Sequence, residues 1–164
     1  IYLPLNKGAE RGMTDTLDEK QVAEGKGEMI LLVEDDDVLR TVTENLLTAF
    51  GYSVIQAVDG EDALKKVDEY KGKIDLIILD VIMPKKGGKE VSDEIRRRGL
   101  DVKVLFMSGY PAESIGEKGV LEEGIYFIKK PASPVHLSQK IRDILKKEVE
   151  RTEIHVTGIL RATS

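Results

Sequence analysis

From residue 29 onward, unbroken apolar runs trade places with amphipathic segments, and that alternation is the strongest constraint on what this chain can fold into. The sharpest case is Ile74-Asp75-Leu76-Ile77-Ile78-Leu79, which ends in four aliphatic residues with no polar alternation. A half-exposed strand alternates apolar and polar side chains because successive residues face opposite sides. A run without that period predicts a strand covered on both faces, as in parallel sheets whose crossover helices lie above and below.

The runs predict strands at Met29–Val33, Tyr52–Ala57, Ile74–Leu79, Val102–Met107 and Ile125–Ile128. Amphipathic stretches between them predict helices at Asp37–Phe50, Gly60–Tyr70 and Gly88–Arg98, a weak helix at Ala112–Gly119 that carries Gly116 and Gly119, and a closing helix at Pro134–Val149. Five βα units of this kind predict an α/β fold, a parallel sheet with helices on both faces. In the first helix Leu39, Val42, Leu46, Ala49 and Phe50 recur at three- and four-residue spacing and are expected on its buried face, with Gly51 ending it in a left-handed conformation. The closing helix has Ser133 as its N-cap, Pro134 in its first turn, and Leu137, Ile141, Ile144, Leu145 and Val149 along one side.

A length of 164 residues suits one sizeable core with tails. Residues 1–28 read as the end of a preceding domain followed by a linker, because Asn6–Glu28 is polar, glycine-rich and without apolar period; 29–149 read as the domain, and 150–164 as an unassigned tail. The formal net charge of −5 gives no field to attract nucleic acid or an anionic membrane surface, and no apolar stretch is long enough for a membrane span. The chain has no cysteine, so disulfides, thiolate metal sites and cysteine nucleophiles are excluded.

Four of the apolar runs are followed at once by polar groups that could do chemistry: Glu34 and Asp35, then Asp80, then Ser108, then Lys129 and Lys130. In a parallel sheet these all lie at one edge, where open α/β sheets bind their ligands. Three carboxylates gathered there repel one another unless they share a cation. The absence of cysteine and of any nearby histidine points to a hard ion held by oxygen, with magnesium the natural choice. Beside such an ion Asp80 could act as a nucleophile toward a phosphoryl group, while Lys130 pairs with a phosphoryl oxygen and Ser108 donates a hydrogen bond to another. Taken singly, each residue has a plainer account: a turn carboxylate, a charged helix start, a turn hydroxyl, a solvated lysine. Their shared register favours the chemical one.

The segments Ile30-Leu31-Leu32-Val33-Glu34-Asp35-Asp36, Asp75-Leu76-Ile77-Ile78-Leu79-Asp80-Val81-Ile82-Met83-Pro84, Met107-Ser108-Gly109-Tyr110 and Lys130-Pro131 resemble those of a response-regulator receiver domain over about residues 29–147. The resemblance implies a flavodoxin-like, doubly wound five-stranded sheet of order 2-1-3-4-5. It also implies that Asp80 accepts the phosphoryl group, that Asp35 ligates magnesium directly with Glu34 supporting it through water, and that Ile82 offers its backbone carbonyl. Ser108 is then the switch hydroxyl, Lys130 the phosphate-pairing lysine, and Phe127 the aromatic that changes rotamer, while Lys130-Pro131 is where the family usually has a cis peptide. Glu34 and Phe127 stand where Asp and Tyr are more frequent. In the loop after Asp80, Lys85 and Lys86 add positive charge without a catalytic role, and Gly87-Gly88 is expected to loosen it.

The implied partner is the phosphohistidine domain of a histidine kinase, on the same or another chain, with a histidine phosphotransfer protein as a possible downstream acceptor and a cytoplasmic location even where the parent is membrane-anchored. Neither His136 nor His155 has the setting of a donor. Ile1-Tyr2-Leu3-Pro4-Leu5 resembles the closing strand of a kinase ATP-binding domain, which favours the carboxy-terminal receiver of a hybrid sensor histidine kinase, itself an acceptor rather than a turnover enzyme. The alternatives are a stand-alone response regulator and a receiver-like interaction module that is never phosphorylated. A haloacid-dehalogenase phosphatase would want a second Asp where Ile82 stands, and a dinucleotide-binding fold would want glycines where Glu34-Asp35-Asp36 stand.

Overall fold

The computed structural model describes residues 24–109 and 124–146. Strands β1 (Met29–Val33), β2 (Ser53–Ala57), β3 (Leu76–Asp80), β4 (Lys103–Ser108) and β5 (Ile125–Lys129) form one parallel sheet in the order β2-β1-β3-β4-β5. Helices α1 (Asp37–Ala49), α2 (Gly60–Glu69) and α3 (Gly88–Arg97) follow the first three strands, and a fourth described helix, α4, covers residues 134–146. The doubly wound α/β fold expected from the sequence is the fold observed. The helix expected at Ala112–Gly119, the Ile1–Leu5 string, Val149, His155 and the tail lie outside the described residues.

Strand residues divide between the two faces by parity, as the pleat requires. Ile30, Leu32, Leu76, Ile78, Leu105 and Ile128 pack with Leu47 and Phe50 from the α1 side and with Leu137, Ile141, Ile144 and Leu145 of α4. Leu31, Val33, Ile77, Leu79, Val104 and Phe106 pack with Ala63, Leu64 and Val67 of α2 and Val91 and Ile95 of α3. Two cores therefore consume residues 30–33, 76–79 and 104–107 of the central strands, which is why those stretches carry no polar alternation. Each fully buried aliphatic side chain contributes roughly 1.5–3 kcal/mol to this arrangement.

Strands β3, β4 and β5 each run one residue past the apolar stretch. Asp80 pairs with Met107 and Ser108 with Lys129, so these polar residues occupy the last rungs of the ladder and take their direction from it. The ladder is a backbone property, indifferent to side-chain polarity.

The expected inward face of α1 needs correction. Leu39 and Val42 are 48% and 59% exposed, Ala49 is exposed and Leu46 only half-buried, whereas Arg40, Leu47 and Phe50 are buried. Asp36 fixes the start of the helix by accepting from the amides of Val38 and Leu39, both at 2.9 Å. That start rotates the 40–47–50 stripe inward, and Arg40 tolerates burial because polar groups meet its guanidinium. Gly51 does take a left-handed backbone, with φ of 88°. Ser133 caps α4, its hydroxyl accepting from the His136 amide at 3.2 Å, and His136 itself is exposed.

Residues 24–28 are tied down upstream of β1. The Gly25 amide donates to Phe50 O at 2.6 Å and the Gly27 amide to Gly51 O at 3.0 Å. Glu28 Oε1 accepts from both terminal nitrogens of Arg142, at 2.7 and 2.8 Å, joining the entry of β1 to α4.

Candidate functional site

The C-terminal edge of the sheet gathers the residues singled out in the sequence. Glu34 follows β1 and is buried, its amide donating to Ala57 O at 3.2 Å; Asp35 beside it is exposed, and Asp80 closes β3 half-buried. One carboxylate oxygen from each of the three lies within 4.8 Å of the others. Lys130, brought alongside by β5, donates from Nζ to Glu34 Oε2 at 2.7 Å and to Asp80 Oδ2 at 2.8 Å. The Lys130-Pro131 peptide that follows is cis.

Burial pushes the Glu34 carboxyl above its usual value, and repulsion from Asp80 adds to this, against the opposing pull of Lys130. Burial alone would lower Lys130, but the hydrogen bonds and charges of Asp80 and Glu34 outweigh it and hold the ammonium above its usual value. One ammonium thus neutralises part of a cluster that carries three acids. The donor set offers only carboxylate oxygens, with no imidazole or thiolate, and so matches a hard divalent cation such as magnesium.

The loop after β3 is held close to this cluster. Asp80 Oδ1 accepts from the Ile82 amide at 3.1 Å, which aims the other oxygen at Lys130, and the Ile82 side chain is exposed. Gly88 does the opposite of loosening the loop: it is buried at the start of α3, where a Cβ would overlap the carbonyl oxygen of Asp80. Only glycine permits that approach without a backbone shift. A Cβ on Gly60 would similarly come within 2.6 Å of Lys86 O. Lys85, with φ of 67°, pairs with Asp59 Oδ2 at 3.0 Å, and Asp59 caps α2 through the amides of Glu61 and Asp62. The Lys85–Asp59 pair links two loops at the sheet edge, but with its lysine exposed it is worth little by itself.

Ser108 is buried at the end of β4, and its carbonyl accepts from the Lys130 amide at 2.8 Å. Phe127 is half-buried opposite Phe106 and packs against the α2–α3 core. Arg40 escaped the sequence reading. Its guanidinium is buried and donates to Glu34 O at 2.8 Å and to Gln56 Oε1 at 3.0 Å. A basic residue three positions after Asp37 looks in sequence like a surface helix pair, and nothing local reveals that it turns inward.

Residues 30–142 match the response regulator receiver domain. The chain belongs to that family. Among curated relatives, the receiver is 32% identical over 119 residues to the sensor kinase CckA of Brucella abortus (strain 2308), covering 73% of this chain and 13% of that protein. It is 35% identical over 118 residues to the alkaline phosphatase synthesis transcriptional regulatory protein PhoP of Bacillus subtilis (strain 168), covering 72% and 48% respectively. The chain therefore spans from about an eighth to about half of the lengths of these two relatives. Among solved structures, the receiver domain from the hybrid histidine kinase CckA is 38% identical with a TM-score of 0.62, covering 71% of this chain and 98% of that one. The response regulator TrrA from Thermotoga maritima, solved in complex with Mg2+-BeF, is 30% identical with a TM-score of 0.62 over 72% of this chain and 99% of that one. The receiver domain is a module of two-component signalling. Among the described residues no helix is long and apolar enough to cross a membrane.

Proposed function

We propose that Asp80 accepts a phosphoryl group from a phosphohistidine in a magnesium-dependent reaction. The observation that carries this is the bridge from Lys130 Nζ to Asp80 and Glu34 across the three-carboxylate cluster. Glu34, Asp35, Asp80 and the carbonyl of Ile82 would hold the ion. When bound, magnesium offsets the negative charge of the cluster and of the incoming phosphoryl oxygens.

An Asp80 carboxylate oxygen forms the new P–O bond as the P–N bond to the donor imidazole breaks, and the imidazole leaves with the bonding pair. Lys130 already sits within hydrogen-bond reach of that carboxylate and turns to a phosphoryl oxygen once the charge arrives. Ser108 donates to a second oxygen, and Phe127 repacks as Ser108 moves, shifting the population of the surface expected from β5 and the Ala112–Gly119 helix. Val38, Leu39, Val42 and Ile82 leave exposed apolar surface around the same sheet edge, suited to a helical phosphohistidine domain.

The similarity to the receiver of a hybrid histidine kinase favours that context, with residues 1–28 as the preceding domain's end and linker, 29–149 as the receiver and 150–164 as a tail, in the cytoplasm with its kinase. A histidine phosphotransfer protein is the downstream acceptor in that context. The similarity to PhoP supports a stand-alone response regulator as the second reading. Intact-mass measurement after incubation with a small phosphodonor and magnesium tests the chemistry. One added phosphoryl group on the wild type, none on Asp80→Asn and none in chelator are expected. An unchanged wild-type mass, or equal labelling of Asp80→Asn, overturns it.

A further inference from the structure

We propose that Arg40 is a positioning residue for the cation site, holding the Glu34–Asp35 backbone in the turn that lets two neighbouring carboxylates face one ion. The inference rests on the magnesium site proposed above. In an extended strand, residues 34 and 35 would point to opposite faces. Both instead bring an oxygen within 4.8 Å of Asp80, because β1 ends at Val33 and the chain bends at Asp35, and carbonyls beyond the ladder need donors.

Arg40 supplies them. One terminal nitrogen donates to Glu34 O at 2.8 Å and makes a longer approach to Asp35 O at 3.5 Å. The other terminal nitrogen pairs with Asp37, and Nε donates to Gln56 Oε1 at 3.0 Å, anchoring the group to the edge strand β2. The side chain is 9% exposed, so its charge is taken largely out of water and compensated by these acceptors. The planar fork matters here, because an ammonium cannot reach two carbonyls, an amide oxygen and a carboxylate with fixed angles.

Charge and positioning predict opposite signs. A fixed cation beside a metal site repels the metal, so if charge were the whole effect, Arg40→Gln would tighten magnesium binding. If positioning dominates, Arg40→Gln and Arg40→Lys both weaken it by about tenfold or more, the usual effect of losing a group that orients metal ligands. Gln56→Ala, which keeps the arginine and removes one anchor, weakens it less.

The test is calorimetric titration of the full chain with magnesium chloride, alongside far-UV circular dichroism to establish that each variant is folded. Phosphorylation by a small phosphodonor is then followed against magnesium concentration. The expected result is a raised half-saturating magnesium concentration with most of the saturating rate recovered, and altered amide NMR signals of Asp35 and Asp36 in metal-free Arg40→Lys. Wild-type or tighter magnesium affinity in folded Arg40→Lys and Arg40→Gln overturns the inference; if Arg40→Gln does not fold, Arg40→Lys and Gln56→Ala decide it. A wild type that binds no magnesium overturns the metal site itself, a separate and recognisable failure.

Discussion

Removing one acid from the cluster separates its cost to the fold from its use. Asp35 is the cleanest target, because it is exposed while Glu34 and Asp80 hold the Lys130 bridge. Two carboxylate charges at the 4.8 Å limit of this cluster repel by about 3.5 kcal/mol at an effective dielectric constant of about 20 and by about 0.9 kcal/mol in bulk water. Asp35→Asn relieves two such repulsions, a range of about 2 to 7 kcal/mol, and the exposure of Asp35 puts the true figure near the lower end. Lost attraction to Lys130 and Arg40 and screening by salt offset part of it, leaving a net stabilisation of about 1–2 kcal/mol without metal. Magnesium reverses the order: an ion bound only by the folded chain adds about 2.7 kcal/mol at a hundredfold excess over its dissociation constant, and the variant loses most of that. The assay is urea unfolding followed by circular dichroism, since the chain has no tryptophan, in chelator and in saturating magnesium. A variant less stable than wild type in chelator, or one gaining as much from magnesium, refutes the reasoning.

The corrected phase of α1 predicts that Leu47→Ala costs about 2–5 kcal/mol in the same unfolding assay, because Leu47 is fully buried, while Leu39→Ala stays within about 0.5 kcal/mol. Gly88→Ala pushes a methyl group into the Asp80 carbonyl, so it should destabilise by about 1–3 kcal/mol and slow phosphorylation measured by intact mass. Glu28 supplies a pH signature: burial alone would raise its carboxyl, but the Lys26 amide and Arg142 outweigh that and hold it below its ordinary value of 4.5. A depressed carboxylate adds stability that is present above pH 4.5 and lost as pH falls through the lower folded value. Arg142→Gln should therefore cost about 1 kcal/mol at pH 7, a gap that narrows in unfolding curves below pH 4.5.

Much of the fold is legible in the residues alone, and what is not has definite physical causes. Ile74–Leu79 announced a strand buried on both faces because its apolar residues have nowhere to alternate. Whole βα units separate Asp80 from Ser108, and that alone puts both at one sheet edge. Periodicity points to the wrong face of α1 because Leu39 and Val42 fit a helical period as well as Leu47 does, and spacing cannot say which stripe turns inward. Gly88 looks like slack in the sequence because a sequence shows a glycine's freedom but not the carbonyl packed against it.

Periodicity and chain connectivity set the order of elements, the parity of the strands and the carboxylates at their tips, and all three are legible in the residues alone. That Lys130 bridges Glu34 and Asp80 across 96 and 50 residues, and that Arg40 turns inward to the Glu34 carbonyl, comes from packing between elements. Those contacts depend on angles and distances between elements, which no local pattern encodes, and they turn a set of acids at one sheet edge into a candidate site.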